Sequence, residues 1–281
     1  MLRVVRTLPP LYAHRLGRDA GPDSSPAALA ASLAAGADGL ETDVCLTADA
    51  ELALLHDPLL ELGTTAMGWA HRTTWEALRD ARLRDRHGAP TDQRPLRLDD
   101  LLDAAPADLP LQLDVKTHGD PDLAVATVDA IDACVVPAHR ERVEVLSFHA
   151  GACARAARLG LRARLIVWAD YVPEALTDWA RGVGIAGVCV EHFLLHAELV
   201  GVLRAGGLSV TTGTINDATL AQRVARLGVD AITTDRPAGL RADVLGSGFG
   251  AQHRDDPRVT VDLGAVDELD VAETHQRRDA A

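Results

Sequence analysis

Two acidic side chains and a histidine lie close together near the start of the chain, in the segment from Ala37 to Pro58. Glu41 and Asp43 are spaced i, i+2 within the apolar run Gly39 to Leu46, so both carboxylates leave the same face of a predicted strand. Carboxylates in this arrangement can bind one hard divalent cation together. His56 follows a second apolar run and supplies an imidazole, which gains or loses a proton near neutral pH. The segment therefore predicts a metal site with a proton carrier beside it.

A hairpin would bring His56 to these acids. Only about five residues separate the two apolar runs, too few for the crossover that a parallel pair needs. The second run, Leu52 to Leu55, is therefore expected to fold back antiparallel. With a turn centred on Ala48–Asp49, the residue numbers of facing pairs sum to about 97, which sets His56 beside Glu41 and close to Asp43.

The remaining chain alternates apolar runs with amphipathic stretches. Eight parallel strands separated by helices predict an α/β fold, a (β/α)8 TIM barrel with a β-hairpin extension after strand 2. A doubly wound open sheet is the alternative, but it usually has fewer strands, and no G-x-G-x-x-G follows the first one. The predicted strands are 11–13, 39–46, 111–115, 143–146, 163–167, 187–190, 208–212 and 231–233, and the main helices are 26–35, 121–136, 150–159, 173–182, 196–205 and 217–227.

The active site of such a barrel forms at the carboxyl ends of its strands, and nearly every predicted end is polar. Asp114 ends the third strand and joins Glu41 and Asp43 from the neighbouring one. This all-oxygen set is what Mg²⁺ or Ca²⁺ prefers, rather than zinc. An ion pair between Asp114 and Lys116 would explain those two residues alone, but three acids that converge with two histidines favour one divalent cation. The other strand ends carry Ser147, Phe148, His149, Trp168, Asp170, Glu191, His192, Thr214, Asn216, Thr234 and Asp235.

Four further strand-end residues suit chemistry on an anionic substrate. His14 and His56 can form an acid/base pair, in which one ring takes a proton while the other gives one. Arg15 and Lys116 can counter an anionic group such as a phosphate, with arginine as the bidentate partner. Lys116 is the only lysine of the chain. His149, His192 and His196 stay undecided, and the remaining histidines are predicted to be structural or exposed: His71, His87, His118, His139, His253 and His275.

Composition excludes several classes of partner. The formal net charge is −13, which argues against nucleic acid and against stable membrane association, because both need a basic surface. No apolar run is long enough to span a bilayer and the first residues lack a signal-peptide core, so a cytoplasmic protein is expected. The four cysteines are scattered and form no C-x-x-C motif, which argues against a disulfide framework or a zinc site. We expect one barrel domain over residues 1–245 and an acidic, disordered tail over 246–281.

The order of short motifs resembles that of the glycerophosphodiester phosphodiesterase family, a group of TIM-barrel, PLC-like phosphodiesterases. The likeness runs from about Leu11 to Pro237. Its most specific parts are the run Gly36 to Val44, similar to the family's G-A-D-x-x-E-x-D-V, and the run Gly228 to Pro237, similar to G-V-D-x-I-x-T-D-x-P. The shorter matches are His14-Arg15-Leu16, Pro22-Asp23-Ser24-Ser25, His56-Asp57, Asp114-Val115-Lys116, Ser147-Phe148 and Gly213-Thr214-Ile215-Asn216.

This resemblance implies metal-dependent hydrolysis of a phosphodiester in which His14 and His56 are acid and base. It also implies that Glu41, Asp43 and Asp114 hold the metal, and that the substrate's own glycerol hydroxyl attacks phosphorus to give a cyclic phosphate that water opens. The chain departs from the family pattern at Leu16, where the family has glycine, at Asp23-Ser24, where it has Glu-Asn, at Asp114, where it has glutamate, and at Gly213, where it has a pocket tryptophan. These departures bear on substrate choice.

Two other functions compete with this one. A phospholipase D-like enzyme acting on a lysophospholipid or sphingolipid would need an apolar surface at the barrel mouth, and the chain has only three Phe, four Trp and two Tyr to build one. A non-catalytic barrel that binds a phosphorylated ligand is the second alternative. The sequence leaves the oligomeric state and the exact small-molecule substrate open.

Overall fold

The computed structural model describes residues 8–246, and within them eight parallel strands close into a barrel. Each strand pairs with the next, and the last pairs with the first, so the predicted TIM barrel is confirmed. A ninth strand, β3 (Leu52–Ala53), pairs antiparallel with β2 (Gly39–Leu46) outside the barrel. The strands are β1 (Leu11–Ala13), β2 (Gly39–Leu46), β3 (Leu52–Ala53), β4 (Leu111–Val115), β5 (Val143–Ser147), β6 (Arg162–Val167), β7 (Gly187–Val190), β8 (Ser209–Thr212) and β9 (Ala231–Thr234).

The helices surround the barrel, and several of them begin at a side-chain cap. Ser25 caps α1 by accepting a hydrogen bond from the Ala28 backbone N–H, and Asp120 and Asp217 cap α5 and α9 in the same way. The six main predicted helices agree with the structure to within two residues at each end, whereas α2 (Leu60–Gly63) and α10 (Pro237–Gly246) were not predicted. The helices are α1 (Pro26–Ala34), α2 (Leu60–Gly63), α3 (Trp75–Leu78), α4 (Leu98–Ala104), α5 (Pro121–Cys134), α6 (Ala150–Arg158), α7 (Pro173–Val183), α8 (Ala197–Ala205), α9 (Ala218–Leu227) and α10 (Pro237–Gly246).

The hairpin forms, but its predicted register is wrong by one residue. Cys45 pairs with Ala53 and Leu46 with Leu52, so facing residue numbers sum to 98 rather than about 97. Strand β3 also ends at Ala53 instead of Leu55, because the next N–H, that of Leu54, donates to the carbonyl of Leu96 at 2.9 Å. Backbone pairing with β2 therefore stops before His56, and strand pairing does not set that residue beside Glu41.

A small second core supports this diverted segment. Leu55, Leu60, Leu78 and Leu83 are buried together with Cys45 of β2. This cluster anchors both ends of the loop that carries His56, because Leu55 before the loop and Leu60 after it are both held by apolar packing. The position of His56 is therefore set by packing rather than by a ladder of hydrogen bonds.

A buried ion pair fixes the opposite, amino-terminal end of the barrel. The guanidinium of Arg164 donates to both carboxylate oxygens of Glu144, at 2.9 and 3.0 Å, and Gln112 donates to the same carboxylate at 2.9 Å. Arg164 also donates to the Val188 and Ser209 carbonyls, at 3.1 and 3.0 Å. These contacts join five consecutive barrel strands, β4 to β8, below the mouth.

No helix within residues 8–246 is long and apolar enough to cross a membrane. The predicted disordered tail, residues 246–281, lies outside the described residues except for Gly246, which ends α10, and His253 and His275 lie outside them as well. It therefore stays a prediction.

Candidate active site

The turn that follows β1 positions the first histidine and the first arginine. Residues His14–Leu16 form one turn of 3-10 helix in which Arg15 and Leu16 have positive φ angles of 48° and 61°. Gly17 continues in the left-handed region, and a Cβ there would lie 2.1 Å from the Ser32 hydroxyl. The Leu16 side chain is fully buried and anchors the turn. This unusual backbone aims the Arg15 N–H at Glu41, whose carboxylate accepts it at 3.0 Å.

Three buried acids converge at the mouth as predicted from the strands. Asp43 and Asp114 are direct neighbours in the parallel pairing of β2 and β4, and Glu41 lies two residues before Asp43 on the same face. One carboxylate oxygen from each residue lies within 4.8 Å of the others. All three side chains are buried, so they can meet around one small ion.

The electrostatics of this triad fit a divalent cation. Asp43 Oδ2 and Asp114 Oδ1 are buried without a hydrogen-bond partner among the described residues. Burial and the charge of Asp43 raise the pKa of Glu41 to about 7, and burial raises the pKa of Asp114 to about 6 although Lys116 acts against it. The positive charge beside the triad is thus too small to balance three ionised carboxylates. An all-oxygen set of this kind suits Mg²⁺ or Ca²⁺.

Lys116 and Arg15 supply the positive charge that the triad does have. The Lys116 ammonium lies 3.0 Å from Asp43 Oδ1 and 2.5 Å from Asp114 Oδ2, so the ion pair considered from sequence is present within the cluster. Arg15 Nε lies 3.4 Å from Asp43 Oδ2, while its guanidinium pairs with Asp23. Burial would raise the pKa of Asp43, but these two cations outweigh it and hold that pKa below its usual value.

His14 is held by a carboxylate from the far end of the chain. Its Nδ1 lies 2.6 Å from Asp235 Oδ1, and its Nε2 lies 4.0 Å from Glu41 Oε2. The Asn216 amide donates to Asp235 Oδ2 at 2.6 Å, and its own carbonyl oxygen accepts from the Thr234 hydroxyl at 2.9 Å. Asp235 therefore keeps the proton of a neutral His14 on Nδ1 and leaves Nε2 turned toward the triad. The sequence predicts Asp235 at a strand end without indicating a role for it.

His56 reaches the same mouth from the hairpin side. Its Nδ1 lies 3.0 Å from Asp57 Oδ1. His56 and Arg15 line one cavity of about 240 Å³ together with Asp57, Arg84 and further residues. Burial lowers the pKa of His56, although the negative charge of Asp43 acts in the opposite direction. The ring is therefore close enough to Asp43 to be affected by its charge, although strand pairing does not bring the two residues together.

The three undecided histidines have different surroundings. His196 caps α8, because its Nδ1 accepts the Leu199 N–H at 3.4 Å. His149 Nε2 lies 3.3 Å from the Thr117 hydroxyl. His192 packs edge-on against Phe193, with ring centroids 5.7 Å apart. None of these contacts reaches the acidic triad.

Comparison with known proteins points to one family. Residues 14–239 match the model of the glycerophosphoryl diester phosphodiesterase family. The chain is 27% identical over 237 residues to a glycerophosphodiester phosphodiesterase of Bacillus altitudinis, covering 81% of this chain and 94% of the relative.

Solved structures share the fold. A phosphodiesterase of Oleispira antarctica in complex with the product sn-glycerol-3-phosphate superposes with a TM-score of 0.75 at 22% identity, covering 84% of this chain and 97% of that one. A glycerophosphodiester phosphodiesterase of Parabacteroides distasonis gives 0.71 at 23% identity, covering 85% and 98%.

Proposed function

The chain belongs to the glycerophosphoryl diester phosphodiesterase family, and we propose that it hydrolyses glycerophosphodiesters to glycerol phosphate and an alcohol, using one divalent cation. The observation that carries the proposal is the buried triad of Glu41, Asp43 and Asp114. Within it, Asp43 Oδ2 and Asp114 Oδ1 make no hydrogen bond to the described part of the chain, while Arg15 and Lys116 lie beside the same carboxylates. A polar mouth built in this way suits an anionic substrate that binds together with a metal ion.

Glu41, Asp43 and Asp114 would hold the cation, Mg²⁺ or Ca²⁺. When bound, it would neutralise negative charge that develops on the phosphate oxygens. Arg15 and Lys116 would bind the phosphate from the sides, because each cation already lies within 3.4 Å of the triad.

The two histidines would carry the protons. One imidazole removes the proton of the hydroxyl that attacks phosphorus, and the other gives a proton to the alcohol oxygen as its bond to phosphorus breaks. Where the attacking hydroxyl is the substrate's own, a cyclic phosphate forms and water reopens it. The net change is the addition of one water, which leaves a phosphate monoester and a free alcohol. Asp235 supports His14 in this role, and Asp57 supports His56.

A hydrolysis assay with single variants tests the proposal. His14→Ala and His56→Ala should each lower turnover of a glycerophosphodiester by ~10²–10⁴-fold while metal affinity and folding stay unchanged. Their losses should be less than additive in the double variant, since both rings act on one phosphorus. His139→Ala, at the opposite end of the barrel, is the control and should keep wild-type turnover.

Two results would count against this function. Near-wild-type turnover by either variant would make that histidine structural. Absence of turnover by the wild type with either metal, combined with saturable binding of glycerol phosphate, would favour the non-catalytic barrel.

A further inference from the structure

Exposed aromatic side chains line one side of the barrel mouth. Phe148 follows β5, Trp168 and Tyr171 follow β6, and Phe193 follows β7. Their exposed fractions are 42%, 57%, 47% and 67%, and no other aromatic residue within 8–246 is exposed. Val172, 66% exposed, extends the same surface. We call these five residues the aromatic rim. Concentrated apolar exposure of this kind marks a binding surface.

The rim is continuous with the proposed phosphate site. The Lys116 ammonium lies 5.7 Å from the centre of the Phe148 ring, and the same ammonium contacts Asp43 and Asp114. A group bound at the acidic triad would therefore meet the rim directly on its β5 side.

The two sides of the mouth differ in chemistry. Strands β5, β6 and β7 lie across the barrel from β1 and β2, which carry His14, Arg15 and the acids of β2. The cavity on the hairpin side is lined mainly by charged groups, among them Arg15, Asp57 and Arg84, with leucines between them. A substrate with a charged group at the triad and an apolar group over the rim would match both sides of the mouth.

The dimensions and charges of the rim favour an alkyl chain as its occupant. Adjacent strands lie ~4.8 Å apart, so three strand ends extend over roughly 10 Å, which is wider than a single quaternary ammonium group. Asp170 and Glu191 lie between the aromatic residues in sequence, and their charges oppose contact with an anionic bilayer. An uncharged alkyl chain attached to the bound phosphodiester can extend across three strand ends, and the two carboxylates do not repel it.

We propose that the aromatic rim binds the alkyl chain of a monoacyl glycerophosphodiester, an amphiphile of the lysophospholipid type, while its phosphate lies at the triad. The assignment of substrate class rests on the proposed function, whereas binding of the chain does not. The chain has few aromatic residues from which to build an apolar surface, but the exposed ones follow the strand ends at the mouth, where such a substrate needs them.

The test compares substrates that differ only in their chain. Wild type, the double variant Trp168→Ser/Phe193→Ser and the control Val136→Ser are assayed on glycerophosphocholine and on its 1-acyl derivatives with six, eight and ten carbons, below their micelle concentrations. Val136 is a matched control because it is 51% exposed but precedes β5 at the other end of the barrel. A fully buried CH₂ contributes up to about four-fold in affinity, so kcat/KM should rise at least ~10-fold along the series on a half-open surface.

The double variant should lose this rise and keep wild-type activity on glycerophosphocholine, while Val136→Ser should behave as wild type. Calorimetric titration with decylphosphocholine monomers, which lack the glycerol, gives a second measurement that needs no turnover. Wild type should bind it saturably, and the double variant should bind it at least ~10-fold more weakly.

Failures of the two proposals can be told apart. If no substrate is hydrolysed but the rim-dependent binding of decylphosphocholine persists, the proposed function is wrong and the chain-binding surface stands. If glycerophosphocholine is hydrolysed but neither chain length nor the double variant has an effect, the rim proposal is wrong. Rim-dependent binding of phosphatidylcholine vesicles without binding of monomers would also overturn it, since the occupant would then be a bilayer.

Discussion

Replacement of Asp235 by asparagine isolates the contribution of the group that orients His14. The two side chains have the same shape, so the change removes a charge and one acceptor without creating a cavity. Asp235 now accepts from two directions, with His14 Nδ1 at one oxygen and the Asn216 amide at the other, each at 2.6 Å. An asparagine has one acceptor oxygen and one NH₂ group, so it cannot accept from both partners.

The size of the effect follows from this mismatch. If the NH₂ group faces His14, the ring must take the other tautomer, whose proton lies on Nε2, the nitrogen turned toward the triad. If it faces Asn216, two donors meet and that hydrogen bond is lost. A hydrogen bond to a charged group contributes about 1.5–3 kcal/mol, which corresponds to roughly 10- to 150-fold in rate. The Asp235 side chain is 22% exposed, which favours the lower end.

Steady-state kinetics on a glycerophosphodiester provide the measurement. The loss should appear in kcat, while KM and the affinity for the divalent cation stay within two-fold, since Asp235 contacts neither the acidic triad nor Arg15 through any hydrogen bond described above. Asp243→Asn removes a carboxylate from the neighbouring α10 helix and serves as the control. An Asp235→Asn enzyme with wild-type kcat, or one whose defect lies in metal affinity, would refute the role given to this residue.

Three further changes test the site and its support. Asp43→Ala should abolish the single Mg²⁺ or Ca²⁺ site seen by calorimetry, whereas Asp99→Ala on α4 should leave the binding isotherm unchanged. Glu144→Gln should lower the free energy of unfolding by about 3–5 kcal/mol in urea, because it leaves the Arg164 charge buried without its partner. Burial would raise the pKa of Glu144, but the charge and hydrogen bonds of Arg164 outweigh it and lower that pKa. The stabilisation is therefore present at neutral pH, and the difference in unfolding free energy between wild type and Glu144→Gln should shrink as pH falls below about 4. A difference that grows in acid would contradict this role of Glu144. Leu16→Gly relieves a left-handed leucine, about 1–2 kcal/mol, but removes a fully buried side chain, about 2–5 kcal/mol, so thermal unfolding should show net destabilisation rather than a gain.

The local sequence pattern was sufficient to predict the barrel and the convergence of its three acids. Alternation along β2 places Glu41 and Asp43 on one face, and parallel pairing of consecutive strands then brings Asp114 beside them. Both steps depend on neighbours in sequence or on adjacent strands, which is why the triad was predictable. The hairpin register was not, because the contact that ends β3 comes from Leu96, more than forty residues along the chain.

Contacts across the chain ends explain what else was missed. His14 and Asp235 are separated by 221 positions in sequence and meet only because β9 closes the barrel against β1. Closure was predicted, so the meeting of the two strand ends could have been inferred. Which histidine the carboxylate would contact depends on the left-handed turn at Arg15 and Leu16, and no pattern in the sequence marks that conformation at non-glycine residues.

The two buried polar clusters of the barrel show how a structural group of charges differs from a functional one. At the base, both oxygens of Glu144 are satisfied by Arg164 and Gln112, and the guanidinium also donates to two strand carbonyls. At the mouth, Asp43 and Asp114 each keep one buried oxygen without a hydrogen bond from residues 8–246, even though Lys116 contacts both residues and Arg15 Nε lies 3.4 Å from Asp43 Oδ2. An unpartnered buried acceptor costs about 1–3 kcal/mol, and folding gains nothing from it. The mouth therefore carries an unfavourable charge distribution that a divalent cation would relieve, and the same excess of negative charge favours a cationic side chain at Lys116, which contacts two of the acids.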